Sequence, residues 1–304
     1  MRPDAPFQAR NCPGCGDMGA TPEISSTRRA EAMSFAAIRP YWTGLLKEKI
    51  FFSYHRCHVC GLLFTPIFFS VAQLETLYAS MAPNMDEVGS DAIGRTQRGY
   101  FDVAAKAGSL DGGYLEIGAD VGHIVGHAAH RGDFDCFWLF EPNRAVHRQL
   151  AAATAGRPHT ILTDMADLSA VPDASIGLAV MVHVLDHMLD PAAMLRQVRA
   201  KLRPGGTLLI VTHNEASLLR RVLGAKWPPF CLQHPQVYSP ASITRLITDA
   251  GYRQIEVGPT RNYFPIAFLI RQAAWTVGIK LDAVPLPTVP VGLKLGNIVS
   301  VTRR

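Results

Sequence analysis

Two acids in the middle of the chain sit where a ligand can claim them. Glu116 lies inside the apolar run Tyr114-Leu-Glu-Ile-Gly-Ala-Asp-Val-Gly122, and Glu141 ends a second apolar run in Phe140-Glu-Pro-Asn143. An apolar strand that breaks into a glycine-bearing loop and then a helix builds a nucleotide pocket, and an acid about 20 residues further on can hold a ribose. A carboxylate accepts both ribose hydroxyls in one bidentate contact. The loop excludes the commonest nucleotides. Asp120 stands at the second glycine position of a Gly-x-Gly-x-x-Gly fingerprint and His123 at the third, and a carboxylate there repels a diphosphate. No Gly-Lys-Ser/Thr follows, so the loop is not a P-loop. An ionised Glu116 inside a strand is costly without a partner, so either it meets a positively charged ligand or it is a strand-end acid facing water.

The cysteines carry a second chemistry. Cys12-Pro-Gly-Cys15-Gly16 and Cys57-His-Val-Cys60-Gly61 are two Cys-x-x-Cys turns, each closed by a glycine that tolerates positive φ. Two such knuckles supply the four soft ligands of a closed tetrahedral zinc site. Disulfides do not suit a reducing compartment, and a redox pair does not come as two glycine-terminated knuckles. The long stretch from Gly16 to Arg56 requires an inserted element between them. His55 and His58 are read as neighbours of the site or solvent-facing rings, and Cys136 and Cys231 as core or pocket-wall residues.

Five segments together resemble the class I S-adenosylmethionine (SAM) dependent methyltransferases. Leu115 to Gly122 looks like their first motif, and residues 134–140 read as a second buried strand ending at Glu141. Ile161-Leu-Thr-Asp-Met165 ends a third. The stretch from Pro172 to Pro191, with His183-Val-Leu-Asp-His187, resembles the fourth strand and its turn, and Lys201-Leu-Arg-Pro-Gly-Gly-Thr-Leu-Leu-Ile210 resembles the turn into the fifth. The resemblance implies an α/β, Rossmann-like, seven-stranded and mostly parallel sheet with an antiparallel last strand. It also implies that Glu116 and the backbone of Gly118, Ala119, Asp120 and Gly122 receive the methionine half of SAM. Glu141 and Pro142 then lie at the ribose, Asp164 and the Met165 backbone at adenine, and His183 beside the cofactor. A helix-capping Asp164 is the plain alternative. Asp120 departs from the family pattern, and so does Gly177, where an Asp is usual.

The elements that position these residues follow in order. Residues 1–78 form a zinc ribbon with an amphipathic helix at residues 71–78, and residues 79–110 form a linker able to cover the cofactor and a lead-in helix at about 92–107. Residues 111–304 form the methyltransferase domain, with an aromatic insertion at about 261–292 read as a lid or homodimer surface. This arrangement resembles the zinc-ribbon methyltransferases of bacterial sugar and natural-product pathways, deoxysugar C-methyltransferases included.

A base for the methyl acceptor is expected among histidines at C-terminal strand ends, because an imidazole titrates near working pH. His234 is the first candidate, His187 the next, and Tyr238 the expected substrate contact; His213 follows the fifth strand. Cys231-Leu-Gln-His-Pro-Gln-Val-Tyr238 resembles the "His-Glu-His-x-x-Tyr-Phe" stretch of the C-methyltransferases, but Leu232 and Gln233 replace its first His and its Glu.

At 304 residues, 48% hydrophobic and 18% charged, the chain is stocked for a buried parallel sheet plus smaller additions. Its net charge of +5 suits an anionic or neutral small-molecule or glycan-precursor substrate and does not demand nucleic acid. The polar N-terminus and the interrupted apolar stretch at 263–279 predict neither a signal peptide nor a membrane span, hence a cytoplasmic protein. Two other readings stay open at this level. One is an RNA methyltransferase using the diffuse cations Arg28, Arg29, Arg39, Lys47, Lys49 and Arg56; the other is a scaffold that has lost cofactor affinity.

Overall fold

The computed structural model describes residues 6–42, 50–78, 90–276, 279, 281 and 284–304. Its main sheet has seven strands: β1 Asp111–Ile117, β2 Asp133–Phe140, β3 His159–Leu162, β4 Ile176–Val182, β5 Leu202–His213, β6 Arg253–Pro259 and β7 Asn297–Arg303. Their spatial order is β3-β2-β1-β4-β5-β7-β6. Strands β1 to β5 pair in parallel, and β7 runs antiparallel to both of its neighbours, as expected. The strand order reverses between β1 and β4, and at such a switch point the carboxyl ends of the strands leave a crevice.

Alternation along the strands builds a core on each face. Leu115, Ile117, Ala179, Met181, Leu208 and Ile210 join the helices Pro191–Lys201 and Pro240–Asp249 in one buried cluster. Tyr114, Leu178, Val180, Leu209 and Val211 join the helices Ser90–Ala107 and His123–Arg131 in the other. The helix starts are written locally: Asp190 accepts from Ala193 N ahead of Pro191, and Ser239 forms a capping box with Ser242 ahead of Pro240.

The cysteine-bearing segment is not a detached module. Its sheet runs Gln236–Val237, Leu63–Phe64, Tyr54–Cys57, Ala20–Ile24, so its edge strand comes from the far end of the chain. Cys12, Cys57, Leu62 and Phe64 share one core with Leu115 and Tyr238. The inserted element between the knuckles includes short helices at Phe35–Ile38 and Arg39–Tyr41. The helix Val71–Tyr78 forms where its periodicity predicts, whereas the linker at 79–89 lies outside the described residues. Within the 261–292 insertion, Asn262–Pro265 pairs antiparallel with Pro290–Leu293. Tyr263 N also donates to Thr96 Oγ1 on the lead-in helix.

Gly177 has a local reason. The pairing of β4 with both neighbours slips between Ile176 and Leu178, and a Cβ on Gly177 would stand 1.9 Å from the Asp111 carbonyl oxygen. The glycine therefore serves a bulge at the amino end of β4, away from the carboxyl-end crevice. Gly177→Asp should lower stability by about 2 kcal/mol or more, since the obstacle is backbone. Urea unfolding measures this, and an unchanged midpoint would show that the bulge accommodates a side chain.

Candidate active site

The loop after β1 is held by its own backbone. Gly118 N donates to Phe140 O at 2.8 Å, and Gly118 and Gly122 take left-handed φ of 73° and 83°. A Cβ on Gly118 would meet Val184 Cγ2 at 2.4 Å, and one on Gly122 would meet Ala153 Cβ at 2.7 Å, so only glycine suits either place. Asp120 shares the left-handed conformation at φ 47° and is exposed. The Val184 contact seats the turn after β4 against the loop after β1.

The acids around this loop are buried and poorly compensated by charge. Glu116 is 3% exposed and accepts from the Tyr114 hydroxyl at 2.5 Å. Burial pushes its carboxyl up to about 8, helped by Asp120 and Glu141 and opposed by the Tyr114 bond. Glu141 accepts from Asp120 N and Asn143 N, both at 2.8 Å, and burial raises it too. Each Glu141 oxygen keeps a lone pair for a hydroxyl. The donor set fits a ligand with ribose hydroxyls and a positive group. Asp164 is exposed and accepts from Ala166 N at 2.9 Å in a local turn with no helix directly after it, while Met165 packs against the buried core. Pro142 is exposed beside Glu141, and His123 opens the helix after the loop.

Past β4 and β5 the fold gathers four imidazoles from three separate segments, His183 with His187, His213 and His234. His183 and His213 stack with ring centroids 4.5 Å apart, His213 and His234 lie 4.9 Å apart, and His187 meets His234 edge to face at 4.6 Å. Burial and the neighbouring imidazoles push His187 and His213 well down, so both rings are neutral. His234 differs: burial alone lowers it, but Cys231, Asp186 and the Pro229 carbonyl outweigh that and hold it up at about 9. Its Nδ1 donates to Pro229 O at 2.7 Å, which leaves Nε2 to exchange a proton. Cys231 Sγ lies 3.4 Å from the same Nδ1, and the Tyr78 hydroxyl lies 3.3 Å from His187 Nδ1.

Tyr238 requires a correction. The expected substrate contact is wholly buried, and its hydroxyl donates to Leu185 O at 3.2 Å. Gln236 Nε2 donates to Leu185 O and Met188 O at 2.9 and 2.7 Å. The two side chains brace the histidine turn from beneath, so Tyr238 positions the site without facing a substrate. Sequence reasoning also missed Asp186, which is fully buried, and Asn297, which bonds both His183 and His213. Asp186 was readable inside the His183–His187 segment; Asn297 carried no local signal.

The four cysteine Sγ atoms lie within 4.8 Å of one another, with Cys12–Cys60 at 3.4 Å and Cys15–Cys57 at 3.5 Å. Thiolates at about 2.3 Å around a tetrahedral zinc stand about 3.8 Å apart, so the set is near the required size. Gly16 and Gly61 take φ of 78° and 70°, and their N–H groups donate to Cys12 O and Cys57 O. Of the diffuse cations, Arg56 is taken up by Glu23 and Glu215, while Lys47 and Lys49 lie outside the described residues.

Comparison with known proteins agrees with this fold. A family described as a methyltransferase domain matches residues 94–257. The ajmaline N-methyltransferase of Rauvolfia serpentina is 24% identical over 107 residues, 34% of this chain and 37% of that protein. The match thus spans little more than a third of that relative. A SAM-dependent methyltransferase structure from Methanosarcina mazei covers 66% of this chain and 96% of its own, at 16% identity and TM-score 0.45. One from Mesorhizobium loti covers 67% and 96%, at 15% identity and TM-score 0.46. The chain belongs to the methyltransferase-domain family. Among the described residues, no helix is long and apolar enough to cross a membrane.

Glu116 yields a test of the acid-lined loop. In the ligand-free fold it keeps its proton to about pH 8, whereas the unfolded chain releases it near about 4.3. The native state binds more protons between those values, so this group's contribution to stability falls as pH rises through the window. Glu116→Gln should therefore be more stable than the parent at pH 8, by on the order of 4–5 kcal/mol, and nearly equal to it at pH 4.5. Denaturant unfolding of ligand-free protein at both pH values reads this; equal differences at both would remove the burial argument.

Proposed function

We propose that this methyltransferase acts on a small molecule of the natural-product or glycan-precursor kind, with a histidine taking the acceptor's proton. The reading is carried by the convergence of His187, His213 and His234 past the carboxyl ends of β4 and β5, where the sheet opens. The partial similarity to the ajmaline N-methyltransferase supports a small acceptor.

Glu116 and the backbone of Gly118, Ala119, Asp120 and Gly122 would hold the amino-acid part of SAM, Glu141 with Pro142 the ribose, and Asp164 with Met165 the adenine. Bound there, SAM supplies an already activated methyl group, so positioning the acceptor dominates the catalysis. His234 is the proposed base through Nε2, since Nδ1 is committed to Pro229. An imidazole held near 9 is a strong base once it has shed its own proton. His187, neutral and in edge contact with His234, is the second candidate. His234→Ala should lower kcat by about 10²–10⁴-fold while SAM affinity by calorimetry is unchanged. Retained turnover in that variant would move the base to His187.

We also infer that the four cysteines hold zinc, which ties the knuckles together as a closed structural site. The buried Arg10 guanidinium, near enough to Cys12 to feel its charge, suits a site rich in thiolate. Cobalt-loaded protein should show thiolate-to-metal charge-transfer absorption. Cys57→Ser should weaken that band and lower the melting temperature, and an unaltered spectrum would remove Cys57 from the site.

A further inference from the structure

We propose that His183, Asp186 and His213 form a second metal site, one that takes a divalent transition ion and leaves coordination positions open. The three offer ligand atoms within 4.8 Å of one another. Asp186 Oδ2 lies 3.9 Å from both His183 Nδ1 and His213 Nε2, too far for hydrogen bonds. Ligands on one ion at about 2.1 Å stand about 3–3.5 Å apart, so the two sides that meet at Asp186 need shorten by only about 0.4–0.9 Å. Two imidazoles and one carboxylate, with positions left over, suit iron(II) or zinc.

The independent sign of a missing ligand is Asp186. It is 0% exposed, its Oδ2 accepts from His213 N at 3.1 Å, and its Oδ1 has no hydrogen-bond partner among the described residues. His183 Nδ1, facing the same place, is likewise buried without a partner. His234 offsets part of Asp186's charge through space, but no donor meets Oδ1 among the described residues, and an unmet buried carboxylate oxygen is costly.

The surroundings hold the donors in place. Asn297 Oδ1 accepts from His213 Nδ1 at 3.2 Å, which turns the lone pair of His213 Nε2 toward Asp186. Asn297 Nδ2 donates to His183 Nε2 at 3.1 Å; an ion at His183 Nδ1 takes the other tautomer of that ring, at the cost of this bond. The His183 and His213 side chains are 29% and 21% exposed, although His183 Nδ1 and Asp186 are themselves buried, so the site lies just beneath the surface. The site stands whichever histidine proves to be the base.

The test is metal stoichiometry of the full chain, stripped with chelator, reloaded with zinc and dialysed. Two zinc ions per chain are expected, falling to one in Asp186→Asn and in His213→Gln. Asn297→Ala should bind the second ion about 10–100-fold more weakly. In cobalt-loaded samples the thiolate band of the four-cysteine site should stay unchanged in these variants, which shows that they fold and separates the two sites. If the cysteines hold no metal, one ion without a thiolate band still supports the proposal. One ion per parent chain accompanied by the thiolate band, or retention of the second ion by both ligand variants, overturns it.

Discussion

Everything around the histidines depends on one short antiparallel pairing, Gln236–Val237 against Leu63–Phe64. Two residues of ladder stabilise little by themselves, but the segment is bonded on every side. Thr65 N donates to Pro235 O, the Tyr54 hydroxyl donates to His234 O, and Arg10 donates to Gln236 Oε1. From the other side Gln236 reaches the histidine turn at Leu185 and Met188, and Glu215 N donates to Tyr238 O at the end of β5. Three parts of the chain are thus registered against one another to within hydrogen-bond tolerance. The proposed base is placed by the cysteine-bearing segment as much as by the sheet.

The same logic explains why that segment carries charge where it does. Arg56 and Arg220 share Glu23, and Arg56 also reaches the buried Glu215 next to the end of β5. Exposed pairs contribute little, but Glu215 is 5% exposed and loses much if its partner goes. Cations that looked like a diffuse polyanion surface in the sequence are therefore partly spent on internal registration.

Around the cofactor loop the balance runs the other way. Glu116 and Glu141 are buried and held by hydrogen bonds from the Tyr114 hydroxyl, Asp120 N and Asn143 N, and burial raises both carboxyls. Asp186 repeats the pattern on the far side of the turn. Such sites break the rule that buried acids are paired, and they mark where a protein meets a ligand.

What was legible in the chain was local. An apolar run broken by glycine located β1, a family resemblance placed β2 to β5, Cys-x-x-Cys-Gly spacing announced the cysteine cluster, and Glu116 stood out as an acid inside a strand, because each signal lies within a few residues. Gly177 was visible as a departure but not as a bulge, since its obstacle is the Asp111 carbonyl on a neighbouring strand. Tyr238 was recognised and given the wrong job, because whether a hydroxyl meets substrate or the Leu185 carbonyl depends on what packs over it. The sequence by itself determined the glycine turns and the two Cys-x-x-Cys knuckles, which follow from local sterics and spacing, while the sheet was read from a family resemblance. Only the tertiary structure brought His183, Asp186, His213, His234 and Asn297 together, because that meeting depends on long-range register between β4, β5, β7 and the edge strand at Gln236.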